Sequence, residues 1–295
     1  MANVTVVGSI NMDTVLTCDR FPTTQASSYA SDIAYVPGGK GANQAVALSR
    51  LGSKVTLIGC VGADENGRRA LDNLQKNGVN TAGVSTLSAP TGTTFIHVVE
   101  GRNAITKVEG ANAVFSCAHI DEHIDLLLAA DFVLMQFSIP PEVIEHTAAL
   151  CKQHHKTLIV NPAPCKKVSA AVFDAAHYLT PNQHEFCSVT ELEDAYAAVA
   201  AYPNKLIITL GKRGVLFHNG AHPVLLPPFE HGARVDATGA GDCFNGALCH
   251  FLSQGMTLKQ AIEFANTCAG ISVTHRGAQT GMPYAAQLKP LIGQR

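Results

Sequence analysis

The chain has 295 residues, of which 46% are hydrophobic and 15% are charged, and its formal net charge is −2. This composition is typical of a soluble globular protein and excludes a disordered chain. Lys and Arg are not concentrated in any stretch, so nothing indicates an electrostatic footprint for nucleic acid or for an acidic membrane surface. The expected ligands are small neutral molecules, or anions that are bound locally.

The cysteines and the first residues of the chain predict its compartment. The nine cysteines are an odd number without a Cys-x-x-Cys pair, which favours reduced thiols over a disulfide framework. A strand is expected from Val4 onward, which leaves no room for a signal peptide, and no apolar run approaches a membrane span. We therefore expect a cytoplasmic protein with neither a membrane nor a nucleic acid as partner.

Short β-branched runs alternate with helical patterns along most of the chain. Their near-continuous apolarity favours a parallel sheet that is covered on both faces. Helices are predicted between them, for example at 42–51, closed by Gly52, and at 141–155, with a proline at its start. The sequence therefore predicts one α/β domain over 1–295, with a doubly wound, mostly parallel sheet. The buried strands are expected at 4–7, 55–58, 132–135, 158–160 and 206–210.

Two regions, about 13–36 and 91–109, break this rhythm because polar and apolar residues alternate there without helical spacing. The alternation predicts strands of a small separate sheet, with Gly101 in a turn. Both regions flank the first glycine-rich loop, so we expect a lid over a ligand site. Ordinary surface hairpins remain the alternative.

The first glycine-rich loop, 37–44, leads into a helix and carries Lys40 and Asn43 among its glycines. The chain contains no Gly-x-x-x-x-Gly-Lys-[Ser/Thr] spacing, so this is not a Walker loop. Asn11 and Asp13 follow the first strand and share one side if the segment is extended. Ligands of open α/β sheets bind beyond the carboxyl ends of strands, where these residues fall. A hydroxyl-rich sugar suits such donors and acceptors.

A second loop, 236–242, places Gly239, Ala240 and Gly241 directly before Asp242 and an amphipathic helix. Free N–H groups and the dipole of a helix N-terminus favour an anion, and small residues let a phosphate approach the backbone. A carboxylate at this position can take a proton from the group that attacks the phosphate. The pattern is that of a phosphotransferase, and a plain helix cap is the alternative.

Taken together, these motifs resemble the ribokinase branch of the PfkB sugar-kinase family. The resemblance covers nearly the whole chain and is carried by residues 8–13, 38–45, 161–164, 180–182 with Glu185, 209–214 and 236–242. It implies an ATP-dependent kinase that phosphorylates the terminal hydroxyl of a pentose, with D-ribose as the expected substrate. It also implies Mg²⁺, a monovalent cation that is usually K⁺, and a homodimer formed through the lid.

The resemblance further implies roles for individual residues. Asp242 is the expected base, and the amides of Gly239, Ala240 and Gly241 are expected to stabilise the transferring phosphoryl group. The expected sugar-binding residues are Asn11, Met12, Asp13, Gly39, Lys40, Gly41, Ala42, Asn43, Ser138 and Asp242. The expected nucleotide-binding residues are Asn182, Thr209, Leu210, Gly211, Lys212, Arg213, Gly214, Gly241, Asp242 and Asn266. Glu185 is linked to Mg²⁺, and the monovalent cation is expected at Asp236, Thr238, Ser272, His275, Gly277 and Gly281.

The chain departs from the pattern of ribokinases at two positions. Ser138 stands where ribokinases typically carry a Glu that meets the sugar near its anomeric carbon, so the contact at that end of the sugar is altered or lost. A furanose whose C1 end differs from that of ribose therefore stays open, with 2-deoxyribose, a ketose or a nucleoside as options. Gly281 stands where ribokinases often carry Ser, which affects the details of the cation site.

The sequence also suggests three further hypotheses. His119 and His123 match a His-x-x-Glu-His zinc pattern, which requires a third protein ligand and a water. A sugar- or nucleotide-binding regulator without catalysis is a second alternative, although Asp242 and its glycines are intact. Cys243, beside Asp242, suggests sensitivity to thiol reagents.

Overall fold

The computed structural model describes residues 2–164 and 167–292. The strands are β1 Asn3–Val7, β2 Asn11–Cys18, β3 Ala30–Gly38, β4 Lys54–Gly62, β5 Asn80–Leu87, β6 Thr93–Val99, β7 Arg102–Val108, β8 Phe132–Gln136, β9 Thr157–Asn161, β10 Tyr178–Leu179, β11 Ile207–Thr209, β12 Val215–His218 and β13 Pro223–Leu226. The helices are α1 Lys40–Arg50, α2 Glu65–Lys76, α3 Cys117–Glu122, α4 Ile124–Leu128, α5 Pro141–Gln153, α6 Ala170–Ala175, α7 Phe186–Thr190, α8 Ala195–Ala201, α9 Ala240–Ser253, α10 Leu258–Ser272 and α11 Ala285–Ile292.

The central sheet has six parallel strands in the order β10-β9-β8-β1-β4-β5. A three-stranded antiparallel sheet, β11-β12-β13, continues it at the β10 edge through parallel bridges from Leu179 to Leu206 and from Asn182 to Thr209. The mostly parallel, doubly wound α/β fold expected from the apolar runs is therefore confirmed.

Helices cover both faces of this sheet. Successive strand residues point to opposite faces, so the apolar strands present apolar side chains on both of them. Val4 and Val6 of β1 belong to one apolar core, together with residues of α1, α2, α9 and α10. Val7 belongs to the other core, together with residues of α3, α5, α6 and α8. Two buried faces explain why the strands read as continuous apolar runs rather than as an alternation.

A second sheet, here called the small sheet, has the order β3-β2-β6-β7. Its β2–β3 and β6–β7 pairs are antiparallel, while β2 and β6 run parallel. The β6–β7 turn contains Glu100 and Gly101, both with positive φ, as tight two-residue hairpins require. Both segments predicted to form a separate sheet do so, and Gly101 lies in the expected turn.

Some strands were not predicted from the sequence, and one was placed in the wrong sheet. Strands β5, β10, β12 and β13 were not predicted, and the run at 206–210 was expected in the parallel sheet. Its strand β11 instead pairs antiparallel with β12 and touches β10 only through isolated bridges. Among the described residues, no helix is both long and apolar enough to cross a bilayer.

Candidate active site

The polar motifs meet where the strand order of the central sheet reverses. From β1 the chain proceeds to β4 and β5 on one side, and later to β8, β9 and β10 on the other. The segments that leave β1 and β8 are joined there by Ser9 and Ser138, whose hydroxyl oxygens lie 2.7 Å apart. Such reversal points are the usual ligand sites of open α/β sheets.

Two glycines allow the first glycine-rich loop to reach this point. A Cβ atom on Gly41 would lie 2.6 Å from the carbonyl carbon of Gly8, so the start of α1 rests directly on the end of β1. Gly39, the residue before α1, has a φ of 87° and also lies against the backbone of residues 9–11. Only glycine adopts this conformation at such close range without strain.

Asp242 occupies the third position of α9, and only 5% of the residue is exposed. Its Oδ2 atom accepts a 2.9 Å hydrogen bond from Nδ2 of Asn43, and its Oδ1 atom accepts a 3.1 Å bond from Nε2 of Gln44. The Nζ atom of Lys40 lies 3.9 Å from the same Oδ1 atom. The first five residues of α1 thus supply the partners that hold this carboxylate.

The loop before Asp242 has the geometry of an anion site. Gly239 caps α9 in the left-handed conformation, with a φ of 76°, and any side chain there would collide with the backbone of Ala278. Gly241 is exposed, with open space where a side chain would be. The N–H groups of the first helical turn point out of the N-terminus, so an anion can approach them over Ala240 and Gly241.

On the small sheet, Asn11 and Asp13 point away from the core. The Asp13 Oδ1 atom accepts a 2.9 Å bond from the Thr94 amide, and the Asn11 side-chain oxygen accepts a 3.0 Å bond from Asn112. Burial raises the pKa of the Asp13 carboxyl, and the hydrogen bonds from Thr94 only partly offset that effect. Met12 lies between them, but its side chain is buried in the core, which leaves only its backbone for a ligand.

Asn182, Glu185 and Thr209 form a second group near the end of β11. The Asn182 amide donates to Oε2 of Glu185 at 3.0 Å, and Asn182 bridges to Thr209 in the sheet. Burial raises the pKa of the Glu185 carboxyl, although the Asn182 amide and the Lys40 ammonium act against the rise. Lys40 therefore interacts with both Asp242 and Glu185, and connects this group to the anion site.

The remaining residues of the expected nucleotide site lie beside this group. Gly214 packs on the backbone of residues 226–228, and Nδ2 of Asn266 donates to the carbonyl oxygen of Pro227 at 2.7 Å. Gly211, Lys212 and Arg213 form an exposed turn, whereas Leu210 is buried in the core. Residues that lie far apart in the sequence are thus brought together near the end of β11.

The six residues of the expected cation site also come together. Oδ1 of Asp236 accepts bonds from the amide and hydroxyl of Thr238, and its Oδ2 accepts a bond from the Gly277 amide. Partial burial acts to raise the pKa of Asp236, but these donors outweigh it and hold the pKa below its usual value. The Ser272 carbonyl oxygen accepts a hydrogen bond from the His275 amide and lies directly against Gly281.

Two minor hypotheses receive no support from the geometry. Cys243 is buried, which raises the pKa of its thiol to about 12, so it lacks the thiolate character that thiol reagents require. The His119 ring bonds to Ser116 and the His123 ring bonds to Ser85. Among the described residues, no group of three or more His, Cys, Asp or Glu side chains could hold a metal ion.

Sequence reasoning overlooked several residues of the site. Gln44 lies in the first glycine-rich loop, but no role was predicted for it. In the structure it donates a hydrogen bond to Asp242. Asn112 bonds to Asn11, and Gln279 donates to the side-chain oxygen of Asn43 at 2.9 Å. Asn112 and Gln279 lie outside the glycine-rich motifs, so no local pattern could have revealed them.

The fold and the site define a doubly wound α/β protein with an open, glycine-rich helix N-terminus beside a buried carboxylate. A family model described as the pfkB family carbohydrate kinase matches residues 1–285. The chain belongs to the pfkB family of carbohydrate kinases.

Individual relatives agree with this assignment. The chain is 40% identical to a ribokinase of Bacillus subtilis over 293 residues, which cover 99% of this chain and 100% of the relative. Its structure is similar to that of a ribokinase from Thermotoga maritima, with a TM-score of 0.90, 33% identity, and coverage of 99% of this chain and 100% of the other. It is also similar to an Arabidopsis thaliana ribokinase complexed with ribose and ATP, with a TM-score of 0.91, 27% identity and coverage of 99% and 98%.

The raised pKa of Asp13 generates a prediction about stability. A raised pKa means that the folded state binds the proton more tightly than the unfolded state, so stability falls as pH rises through the window between the usual and the raised value. We expect Asp13→Asn to increase the free energy of unfolding at pH 7, with the gain vanishing below the ordinary value of 3.8. Urea titrations between pH 3 and pH 7 measure this difference.

The exposed carboxyl of Asp32 on the neighbouring strand provides the control. Asp32→Asn should change the free energy of unfolding little at any pH, because an exposed side chain loses little hydration on folding. A loss of stability in Asp13→Asn at pH 7 would contradict the prediction.

Proposed function

We propose that this protein transfers the γ-phosphoryl group of ATP to the terminal hydroxyl of D-ribose. The observation that carries the proposal is the buried Asp242 carboxylate, which is held by Asn43, Gln44 and Lys40 at the N-terminus of α9. The ribokinase relatives, one of them complexed with ribose and ATP, support ribose as the sugar.

In the proposed reaction, Asn11, Asp13 and Asn43 hold the sugar hydroxyls between the small sheet and α1. Asp242 accepts the proton of the terminal hydroxyl while that oxygen attacks the γ-phosphorus in line. The amides of residues 239–241 and the dipole of α9 stabilise the negative charge that develops on the phosphoryl oxygens. The small sheet closes over the sugar as a lid and excludes water.

The donor groups beside the site fit Mg²⁺ bound mainly through the nucleotide. Magnesium prefers oxygen ligands and usually takes one or two carboxylates together with phosphate oxygens and waters. Glu185 is a buried carboxylate on the nucleotide side, and no three-ligand cluster occurs among the described residues. Bound Mg²⁺ supplies positive charge that neutralises the phosphate oxygens.

Replacement of Asp242 tests the central role. We expect Asp242→Asn to lower kcat by about 10²–10⁴-fold, because the variant keeps a polar side chain but cannot accept the proton. The assay couples ADP formation to a spectroscopic readout with ribose, 2-deoxyribose, fructose, tagatose and several nucleosides. Near-normal turnover in the variant would remove Asp242 from the role of base.

The same panel decides which sugar is used. Ser138 bonds to Ser9 rather than projecting a charge toward the sugar, so a substrate with a different C1 end is the second candidate. The highest kcat/KM with ribose supports ribokinase activity. If another sugar has a clearly higher kcat/KM, that sugar replaces ribose as the proposed substrate. Ser138→Glu should then shift the preference toward ribose.

Residues 236–238 and 272–281, here called the cation loop, support dependence on a monovalent cation. This loop contains the carboxyl of Asp236, whose pKa lies below its usual value, and the backbone carbonyl of Ser272, and oxygen ligands of this kind suit K⁺. We expect kcat to rise when K⁺ replaces a bulky organic cation in the buffer, and to rise much less with Li⁺. Asp236→Asn should weaken this response, because Asp236 holds the Thr238 and Gly277 amides in place. A kcat independent of K⁺ would contradict the proposal.

Apolar side chains on the small sheet support a homodimer. Ile33, Tyr35 and Phe95 are large and exposed, and the strand register places all three on one face of this sheet, on β3 and β6. Groups of exposed apolar residues commonly mark interfaces between protein chains, and a second copy of the same sheet offers a complementary apolar surface.

Two substitutions test the dimer. We expect Phe95→Asp to convert the dimer to a monomer in light scattering coupled to size-exclusion chromatography, because the interface would bury the new charge. Tyr196→Asp is the control, since Tyr196 is 50% exposed but lies on α8, away from the small sheet. A monomeric wild-type protein, or a dimer that Phe95→Asp leaves intact, would refute this interface.

A further inference from the structure

A chain of neutral amides runs beneath Asp242 and is not part of the sugar or nucleotide sites described above. The Gln44 Nε2 atom donates to Oδ1 of Asp242 and, at 3.2 Å, to the side-chain oxygen of Asn161. The Gln44 side-chain oxygen in turn accepts a 2.7 Å bond from Nε2 of Gln136. Gln44 and Gln136 are both fully buried, so these amides can exchange few of their bonds with water.

The direction of donation through this chain is fixed by the carboxylate. An ionised carboxylate can only accept hydrogen bonds, so Gln44 must turn its NH₂ group toward Asp242. Its oxygen then faces Gln136, which must present its own NH₂ group. The orientation of Asp242 is thereby connected to Gln136 at the end of β8 and to Asn161 at the end of β9.

The cost of this arrangement is visible at Gln136. Its Oε1 atom is buried and has no hydrogen-bond partner among the described residues. A Cβ atom on Gly8 would collide with this oxygen, so Gly8 leaves the space that the side chain occupies. A buried polar atom without a partner destabilises the folded state. An apolar residue at 136 would avoid that cost, so keeping an amide there requires a compensating role.

We propose that Gln44 and Gln136 are positioning residues that fix the carboxylate of Asp242 for proton abstraction. Gln44 donates to Oδ1, while Asn43 donates to Oδ2 and is itself held by Gln279. The two donors set the plane of the carboxylate relative to the N-terminus of α9. This inference rests on the proposed role of Asp242 and adds the residues that orient it.

The test compares kcat with KM in variants that remove the amides but keep the volume. We expect Gln44→Met to lower kcat by about 10- to 100-fold, because small misplacements of a reacting group have effects of this size. KM for the sugar should change by less than about threefold, since Asn11 and Asp13 do not contact Gln44. Gln136→Met should lower kcat less, because it removes only the donor that orients Gln44.

The double variant separates positioning from general damage to the core. Residues that act through one chain of bonds are not additive, so Gln44→Met with Gln136→Met should lose no more kcat than Gln44→Met alone. Thr147→Val is the control, because the Thr147 hydroxyl is also buried without a partner in the described structure but lies on α5, across the sheet from α1 and α9. Its kcat should equal that of the wild type.

Each outcome bears on the proposal. If the wild type is active, three results would overturn the positioning role alone. These are a kcat of Gln44→Met within about twofold of the wild type, a loss confined to KM, and multiplicative losses of kcat in the double variant. A wild type that phosphorylates no sugar would overturn the proposed function, and this inference with it. If Gln44→Met does not fold, as judged by circular dichroism, Gln136→Met decides by the same comparison of kcat with KM.

Discussion

The carboxylate of Asp242 is almost completely buried, and its charge must be compensated by groups of the protein rather than by water. Those groups, Lys40, Asn43 and Gln44, all lie within the first five residues of α1. The N-terminal ends of α1 and α9 therefore have to meet. They can do so because Gly246 of α9 lies against Ala47 and the backbone of Gln44, where any side chain would collide. The close packing of α1 against α9 is thus required for the buried charge of Asp242 to be compensated.

The central sheet sets where this meeting takes place. Strands β1, β8 and β9 end beneath α1 and α9, and Ser9, Gln136 and Asn161 follow or close those strands. Because parallel strands end at the same edge, polar residues that are distant in sequence become neighbours without a long loop. The proposed sugar, anion and nucleotide sites then lie along this edge, and Lys40 interacts with carboxylates of the last two, Asp242 and Glu185.

The sequence predicted the features that depend on local patterns. The apolar runs predicted the parallel sheet, the alternation in two regions predicted the small sheet, and the glycine-rich loops located α1 and α9. It could not predict which glycines serve packing, since Gly8 and Gly246 are needed only because of side chains and backbone far along the chain. Gln279 and Asn112 were missed for the same reason. Met12 was assigned to the sugar from its motif, although strand alternation directs its side chain into the core.

The distribution of charge indicates how the site is linked to stability. Burial raises the pKa of Asp13 in the proposed sugar site and of Glu185 in the proposed nucleotide site, so both ionised carboxylates weaken the folded state at neutral pH. Sugar hydroxyls would donate to Asp13, and a cation bound with the nucleotide would offset the charge of Glu185. Ligands that bind only the folded state stabilise it by mass action. We therefore expect the protein without ligands to be its least stable form, and each substrate would relieve the cost at the carboxylate of its proposed site.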